Sequence, residues 1–165
     1  MFSAQAIDTA DKAGFYRELA EQMGSMFAGE SDATANAANC SALLFDQMPD
    51  LNWAGFYFLR SPDELVVGPF QGKPACVRIK VGRGVCGTAV ERKESILVED
   101  VDAFPGHIAC DSASRSELVV PLIKDGKVLG VIDLDSPIPA RFDADDQVGI
   151  EAIAKLYVAA IVSEG

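Results

Sequence analysis

Apolar residues recur at every fourth position between residues 11 and 28, as Phe15, Leu19, Met23 and Phe27. That spacing predicts a helix with a single apolar stripe. A second helix is predicted from the capping pair Ser31-Asp32, with Ala33, Ala37, Cys40, Leu44 and Met48 at helical spacing and Pro49-Asp50 ending it. Cys40 lies on the buried stripe of that helix and is read as a packing residue. Residues 1–10 carry no strong pattern and read as a loose arm.

The middle of the chain changes period. Trp53 to Leu59 reads as a strand, Ser61-Pro62-Asp63 as a turn and Glu64 to Phe70 as a returning strand. Alternation puts Trp53, Gly55, Tyr57 and Leu59 on one face and Ala54, Phe56 and Phe58 on the other. Val77, Ile79 and Val81 continue the sheet. A short helix over residues 85–92 and a strand from Ser95 to Val98 precede a long loop, about residues 99–114. Loops of that length in a compact domain are usually functional or disordered, and Pro105, Gly106, His107 and Cys110 favour function.

Ser116 to Ile123 and Lys127 to Asp135 then form a hairpin across Lys124-Asp125-Gly126. A three-residue loop with Gly126 left-handed pairs Ile123 with Lys127, and so Glu117 with Asp133. One face then carries Glu117, Val119, Val131, Asp133 and Asp135, while the other is apolar or glycine. A two-residue loop would shift the pairing by one and set Asp133 beside Leu118 and Val120, where an unpartnered carboxylate is costly. Asp143 caps a closing helix, with Asp145 and Asp146 in its first turn. The whole predicts an α+β domain: a mostly antiparallel sheet, helices on one face, and a ligand pocket on the other.

Composition narrows the function. The 165 residues make one domain, 1–165. No stretch approaches the roughly 20 apolar residues of a bilayer span, and the first residues lack the basic start and apolar core of a signal peptide. The expected setting is soluble and cytoplasmic, where four cysteines are better explained by catalysis, metal or packing than by a disulfide framework. A net charge of −11 disfavours nucleic acid and anionic membranes. It suits a ligand that carries an amine.

Chemistry concentrates between residues 76 and 110, which hold Cys76, Cys86, Cys110 and the chain's single histidine, His107. Cys86 opens a helix, where exposed N–H groups would stabilise a thiolate and lower its pKa. Cys110 has His107 three residues upstream, and a histidine cation would help ionise it. Several cysteines near one pocket suit sulfur redox chemistry, in which one attacks and another resolves. Cys76, Cys86, His107 and Cys110 also make a possible zinc set, but the spacing is poor and there is no paired-cysteine knuckle. Glu117, Asp133 and Asp135 form either a solvated surface or the acidic floor of a pocket. Trp53 and Tyr57 are either core residues or that pocket's aromatic wall. An acidic floor with aromatic walls would take a small cation with an apolar body.

At Trp53-Ala54-Gly55-Phe56-Tyr57, Gly68 to Cys76, Gly84 to Ala89, Pro105 to Asp111 and the hairpin strands, the chain resembles the free methionine-(R)-sulfoxide reductases, a family on the GAF fold. The resemblance covers Asn52 to about Ile161. It implies a cytoplasmic, homodimeric oxidoreductase that reduces free methionine sulfoxide, with thioredoxin as reductant and neither metal nor organic cofactor. It implies Cys110 as the attacking thiol, with Cys76 or Cys86 resolving. It further implies that Glu117, Asp133 and Asp135 hold the ammonium and the sulfoxide oxygen, with Trp53 and Tyr57 around the side chain. The alternative is a GAF-type sensor that binds a small ligand without turnover. Such a sensor usually needs an attached output domain, for which 165 residues leave no room.

Overall fold

The computed structural model describes residues 2–108 and 110–161. Met1 of the N-terminal arm and Ala109 of the loop motif lie outside the described residues. Helices α1 (Lys12–Phe27) and α2 (Ala33–Gln47) lead into strands β1 (Trp53–Ser61), β2 (Glu64–Gly72) and β3 (Arg78–Lys80). Helix α3 (Gly84–Arg92), strand β4 (Ile96–Val98), a 3-10 turn at Val101–Ala103, strands β5 (Ser116–Lys124) and β6 (Lys127–Ser136), and helix α4 (Ala144–Ala160) complete the order. The strands form one antiparallel sheet in the order β3-β2-β1-β6-β5-β4. No described helix is long and apolar enough to cross a membrane.

Strand alternation divides the interior into two cores. Ala54, Phe56, Leu118, Val120, Leu122, Ile132 and Leu134 face α1, α2 and α4, where Leu19, Met23, Leu44, Ile150 and Ile153 are fully buried. The other face carries Trp53, Tyr57, Val119 and Val131 against Val85, Cys86 and Ala89 of α3. The three long helices therefore cover one face as expected, while the short α3 covers part of the pocket face. Cys40 sits in the helix-side core with no exposed surface, and burial pushes its thiol pKa well up. Residues 2–10 form neither helix nor strand, but Ile7 is buried in the helix-side core. Gln5 exchanges hydrogen bonds with Gln22 and accepts one from Gln47.

The hairpin corrects the expected register. The loop has two residues, Asp125 and Gly126, both with positive φ (51° and 77°), as a tight Asp-Gly turn requires. Lys124 pairs with Lys127, and Ile123 with Val128. Leu129 is then an extra residue in β6, because Leu122 pairs with Gly130. Turn and bulge each displace the register by one. Their sum is two, so from Gly130 onward every side chain keeps its expected face, while Val128, expected on the helix face, packs on the pocket-side core and Leu129 on the helix-side core. Glu117 pairs with Asp135 rather than Asp133, and Asp133 pairs with Val119.

α4 is tied to the other two helices through polar groups at their ends. Asp143 and Asp146 form a capping box. Asp146 also accepts from Lys12 Nζ and Tyr16 Oη, each at 2.6 Å. Tyr157 Oη donates to the Ala33 carbonyl at 2.8 Å. α1 and α4 cross closely because Gly149 has no side chain, and a Cβ there would lie 2.2 Å from the Tyr16 ring.

Two stability outcomes follow from this packing. Gly149→Ala should destabilise the protein by about 1–3 kcal/mol, since the rigid ring has little room to yield. Cys40→Ala should cost on the order of 1 kcal/mol and leave the specific activity of folded protein within about twofold. Denaturant titration with a turnover assay checks both. A neutral Gly149→Ala, or a hundredfold activity loss in Cys40→Ala, would contradict the packing described.

Candidate active site

β1, β5 and β6 place their pocket-facing side chains side by side. Glu117 is opposite Asp135 across the β5–β6 pair, and Trp53 and Gly55 of β1 are opposite Asp135 and Asp133. Gly55 presents no side chain, and Phe70 and the Trp53 ring occupy the space where its Cβ would lie. Glu117 and Asp133 are each only 6% exposed, and Asp135 is half-buried. The acids thus belong to a pocket rather than to a solvated face.

Together with Cys86, His107, Cys110, Trp53 and Tyr57 these acids line a cleft of about 550 Å³, measured out to its open mouth. The aromatic wall also shapes its roof. Trp53 stacks on Phe70 (centroids 5.1 Å apart) and Tyr57 (5.8 Å). Trp53 Nε1 donates to the Lys73 carbonyl at 3.1 Å, and Tyr57 Oη to the Cys76 carbonyl at 2.9 Å. Both residues therefore hold the segment that carries Cys76.

Cys76 and Cys110 are joined in a disulfide, with Cα atoms 5.6 Å apart. It links the end of the β2–β3 connection to the long loop, and Cys110 lies on the cleft wall. Cys86 is a free, buried thiol. The disulfide takes two members of the possible Cys76–Cys86–His107–Cys110 zinc set, so those four do not form one here. Asn52, which the sequence reading passed over, anchors the long loop. Its Nδ2 donates to Asp111 Oδ2 at 3.0 Å and to Ser114 Oγ at 3.1 Å. A single asparagine before a strand carries no pattern from which such a contact could be read.

Electrostatics overturn two expectations. Cys86 does stand in the first turn of α3, but its pKa is raised well above the usual thiol value. Burial is the main cause, and the nearby Asp133 and Glu117 add to it. His107 is not a cation waiting on Cys110: burial lowers its pKa, and its Nε2 lies 3.4 Å from Glu117 Oε1. Glu117, Asp133 and Asp135 are all shifted well above the ordinary carboxyl value, first by burial and then by one another. Both shifts work against an ion pair at the His107–Glu117 contact: burial lowers the ring's pKa and raises the acid's. Asp133 Oδ1 and Asn52 Oδ1 are buried without a hydrogen-bond partner among the described residues.

Comparison with known proteins gives this arrangement its relatives. The GAF domain family matches residues 17–161. The chain is 51% identical to the free methionine-R-sulfoxide reductase of Escherichia coli (strain K12), over 87% of this chain and 86% of that protein. It is 46% identical to that of Saccharomyces cerevisiae (strain ATCC 204508 / S288c), over 84% and 83%. The X-ray structure of the Neisseria meningitidis enzyme in complex with its substrate superposes with a TM-score of 0.93 at 45% identity, covering 97% of this chain and 95% of that one. The chain belongs to the free methionine-R-sulfoxide reductase family. The eight site residues that the resemblance implied lie on or beside one cleft: seven line it directly, as does His107, and Cys76 reaches it through its bond to Cys110.

The buried acids give a prediction for stability. In the unfolded chain they titrate near about 4. The folded reductase holds their protons more tightly, so its stability falls as pH rises from about 4 through their raised pKa values. Glu117→Gln and Asp133→Asn should therefore raise the melting temperature at pH 8, by about 1 kcal/mol or more of stability, and lose that advantage towards pH 4. Thermal unfolding at both pH values measures this. A pH-independent difference would mean that the acids are not held neutral by burial.

Proposed function

We propose that this chain reduces free methionine-R-sulfoxide to methionine, with Cys110 as the attacking thiol and Cys76 as the resolving thiol. The observation that carries this reading is the Cys76–Cys110 disulfide beside the acidic, aromatic-walled cleft. The substrate's ammonium meets the floor, where Asp133 Oδ1 lacks a partner. Trp53 and Tyr57 enclose its apolar chain.

A sulfoxide is a poor electrophile until its oxygen is protonated or strongly hydrogen-bonded. Raised pKa values keep a carboxylic acid of the Glu117–Asp133–Asp135 group protonated near neutral pH, ready to donate to that oxygen. The Cys110 thiolate takes up the oxygen with this proton as a sulfenic acid, and methionine leaves. The Cys76 thiol displaces the sulfenic oxygen as water and forms the disulfide. An external dithiol then returns both cysteines to thiols and becomes a disulfide itself. Thioredoxin suits that last step, in the cytoplasm, and the chain acts as a homodimer. Cys86 stays in the pocket wall, where its raised pKa leaves it a poor nucleophile.

A burst assay without reductant tests the assignment. Cys110→Ser should release no methionine. Cys76→Ser should release about one methionine per active site and then stall, with a sulfenic acid at Cys110 that dimedone traps. Cys86→Ser should complete its burst and form the disulfide. A full burst from Cys110→Ser would move the nucleophile elsewhere. A stall in Cys86→Ser with normal recycling of Cys76→Ser would make Cys86 the resolving thiol.

A further inference from the structure

Two of the floor acids also form, with Cys86, a donor set whose thiol the reduction of a sulfoxide does not call for. Cys86 Sγ, a Glu117 oxygen and an Asp133 oxygen all lie within 4.8 Å of one another, and all three residues are buried. They come from α3, β5 and β6, so three separate elements converge on one point. Asp133 Oδ1 has no hydrogen-bond partner there among the described residues. On the open side stands His107, with Nε2 3.4 Å from Glu117 Oε1.

We infer that Cys86, Glu117 and Asp133, with His107 as fourth donor, bind one divalent transition-metal ion of the zinc type, and that this ion competes with substrate. One sulfur, one nitrogen and two carboxylate oxygens are the donor types zinc takes in tetrahedral sites. Bonds of about 2.0 Å to oxygen or nitrogen and 2.3 Å to sulfur set such donors roughly 3.3–3.8 Å apart. The Cys86–Glu117–Asp133 cluster need contract by only about 1 Å, and the His107 ring must move in from its contact with Glu117. A dication also relieves a floor that otherwise crowds acids out of water. Ligation displaces the thiol proton of Cys86 and the carboxyl protons that Glu117 and Asp133 hold to solvent, and no redox step is involved. Cys76 and Cys110 take no part, so the site exists while they are disulfide-bonded. The competition, though not the binding, rests on the reading of this cleft as the methionine sulfoxide site.

The experiment uses metal-free protein in its disulfide form, titrated with Co²⁺ as a spectroscopic stand-in for Zn²⁺. One equivalent should produce a thiolate-to-metal charge-transfer band and the visible bands of a four-coordinate ion, and Zn²⁺ should abolish both. Cys86→Ala should lose the charge-transfer band. Asp133→Asn, which preserves shape, should weaken binding at least about tenfold, about 1.4 kcal/mol. Methionine sulfoxide should raise the apparent Kd of the metal in proportion to its concentration. No band in the disulfide form, or a band that survives Cys86→Ala, overturns the proposal. A band seen only after reduction and lost in Cys76→Ser overturns it too, because the opened cysteine pair is then the chelator. Turnover of the metal-free, reduced sample reports separately on the reaction. Normal turnover without metal binding removes the metal site alone. Metal binding without turnover removes the proposed reaction, and with it the competition, but leaves the ion site standing.

Discussion

The packing of three acids onto one sheet face, in a cleft floored by strands and roofed by loops, is the constraint on which the site depends. Isolated buried carboxylates are costly, and these answer the cost by holding protons. Every neighbouring group is drawn into the same economy of charge. Burial together with the acids keeps the Cys86 thiol protonated, burial keeps His107 neutral, and Tyr57, placed beside the acids, is held as a phenol. The result is a pocket whose acids hold protons that an incoming cation can displace from one of them and an oxygen can accept from another. It is suited to a ligand that brings a cation and an oxygen in need of a proton.

Stability for such a floor comes from the opposite side of the sheet. There the strands present Phe56, Leu118, Val120, Ile132 and Leu134 to three helices in a largely apolar layer. The polar contacts that orient those helices sit at their ends, around Asp146 and Tyr157, away from the cleft. The two faces divide the work: one supplies burial, and the other can tolerate groups that folding alone would reject. Removal of a pocket acid is expected to help folding and harm function for this reason.

Much of this was legible from the chain. Helices α1 and α2, the strand faces around the acids and the convergence of Glu117, Asp133 and Asp135 all follow from periodicity. The hairpin shows why faces are easier to read than registers. A face depends only on the parity of the offset, and the Asp125-Gly126 turn and the Leu129 bulge changed the offset by two. Parity survived beyond the bulge, where the acids lie, but not at Val128, and pairing did not survive at all. What stayed hidden depends on distance through space rather than along the chain. The helix-start argument for Cys86 weighed α3's N–H groups but not the acids across the cleft. The role of Asn52 needs the long loop folded back onto β1, a contact 59 residues distant in sequence.

The loop contacts bear on how the cleft can open. Cys110 is held by the disulfide, by the anchor that Asn52 supplies through Asp111 and Ser114, and by the pairing of Val101 and Arg115 backbone groups at the loop's base. Reduction removes the first of these and leaves the other two. The reduced loop therefore keeps a hinge on the β1 side while Cys110 is freed from Cys76. Tyr57 and Trp53 hold the Cys76 segment independently, through the Cys76 and Lys73 carbonyls. Opening the disulfide thus separates two segments that each remain tethered to the aromatic wall or its neighbour, so the thiols part without losing the geometry that lets them meet again.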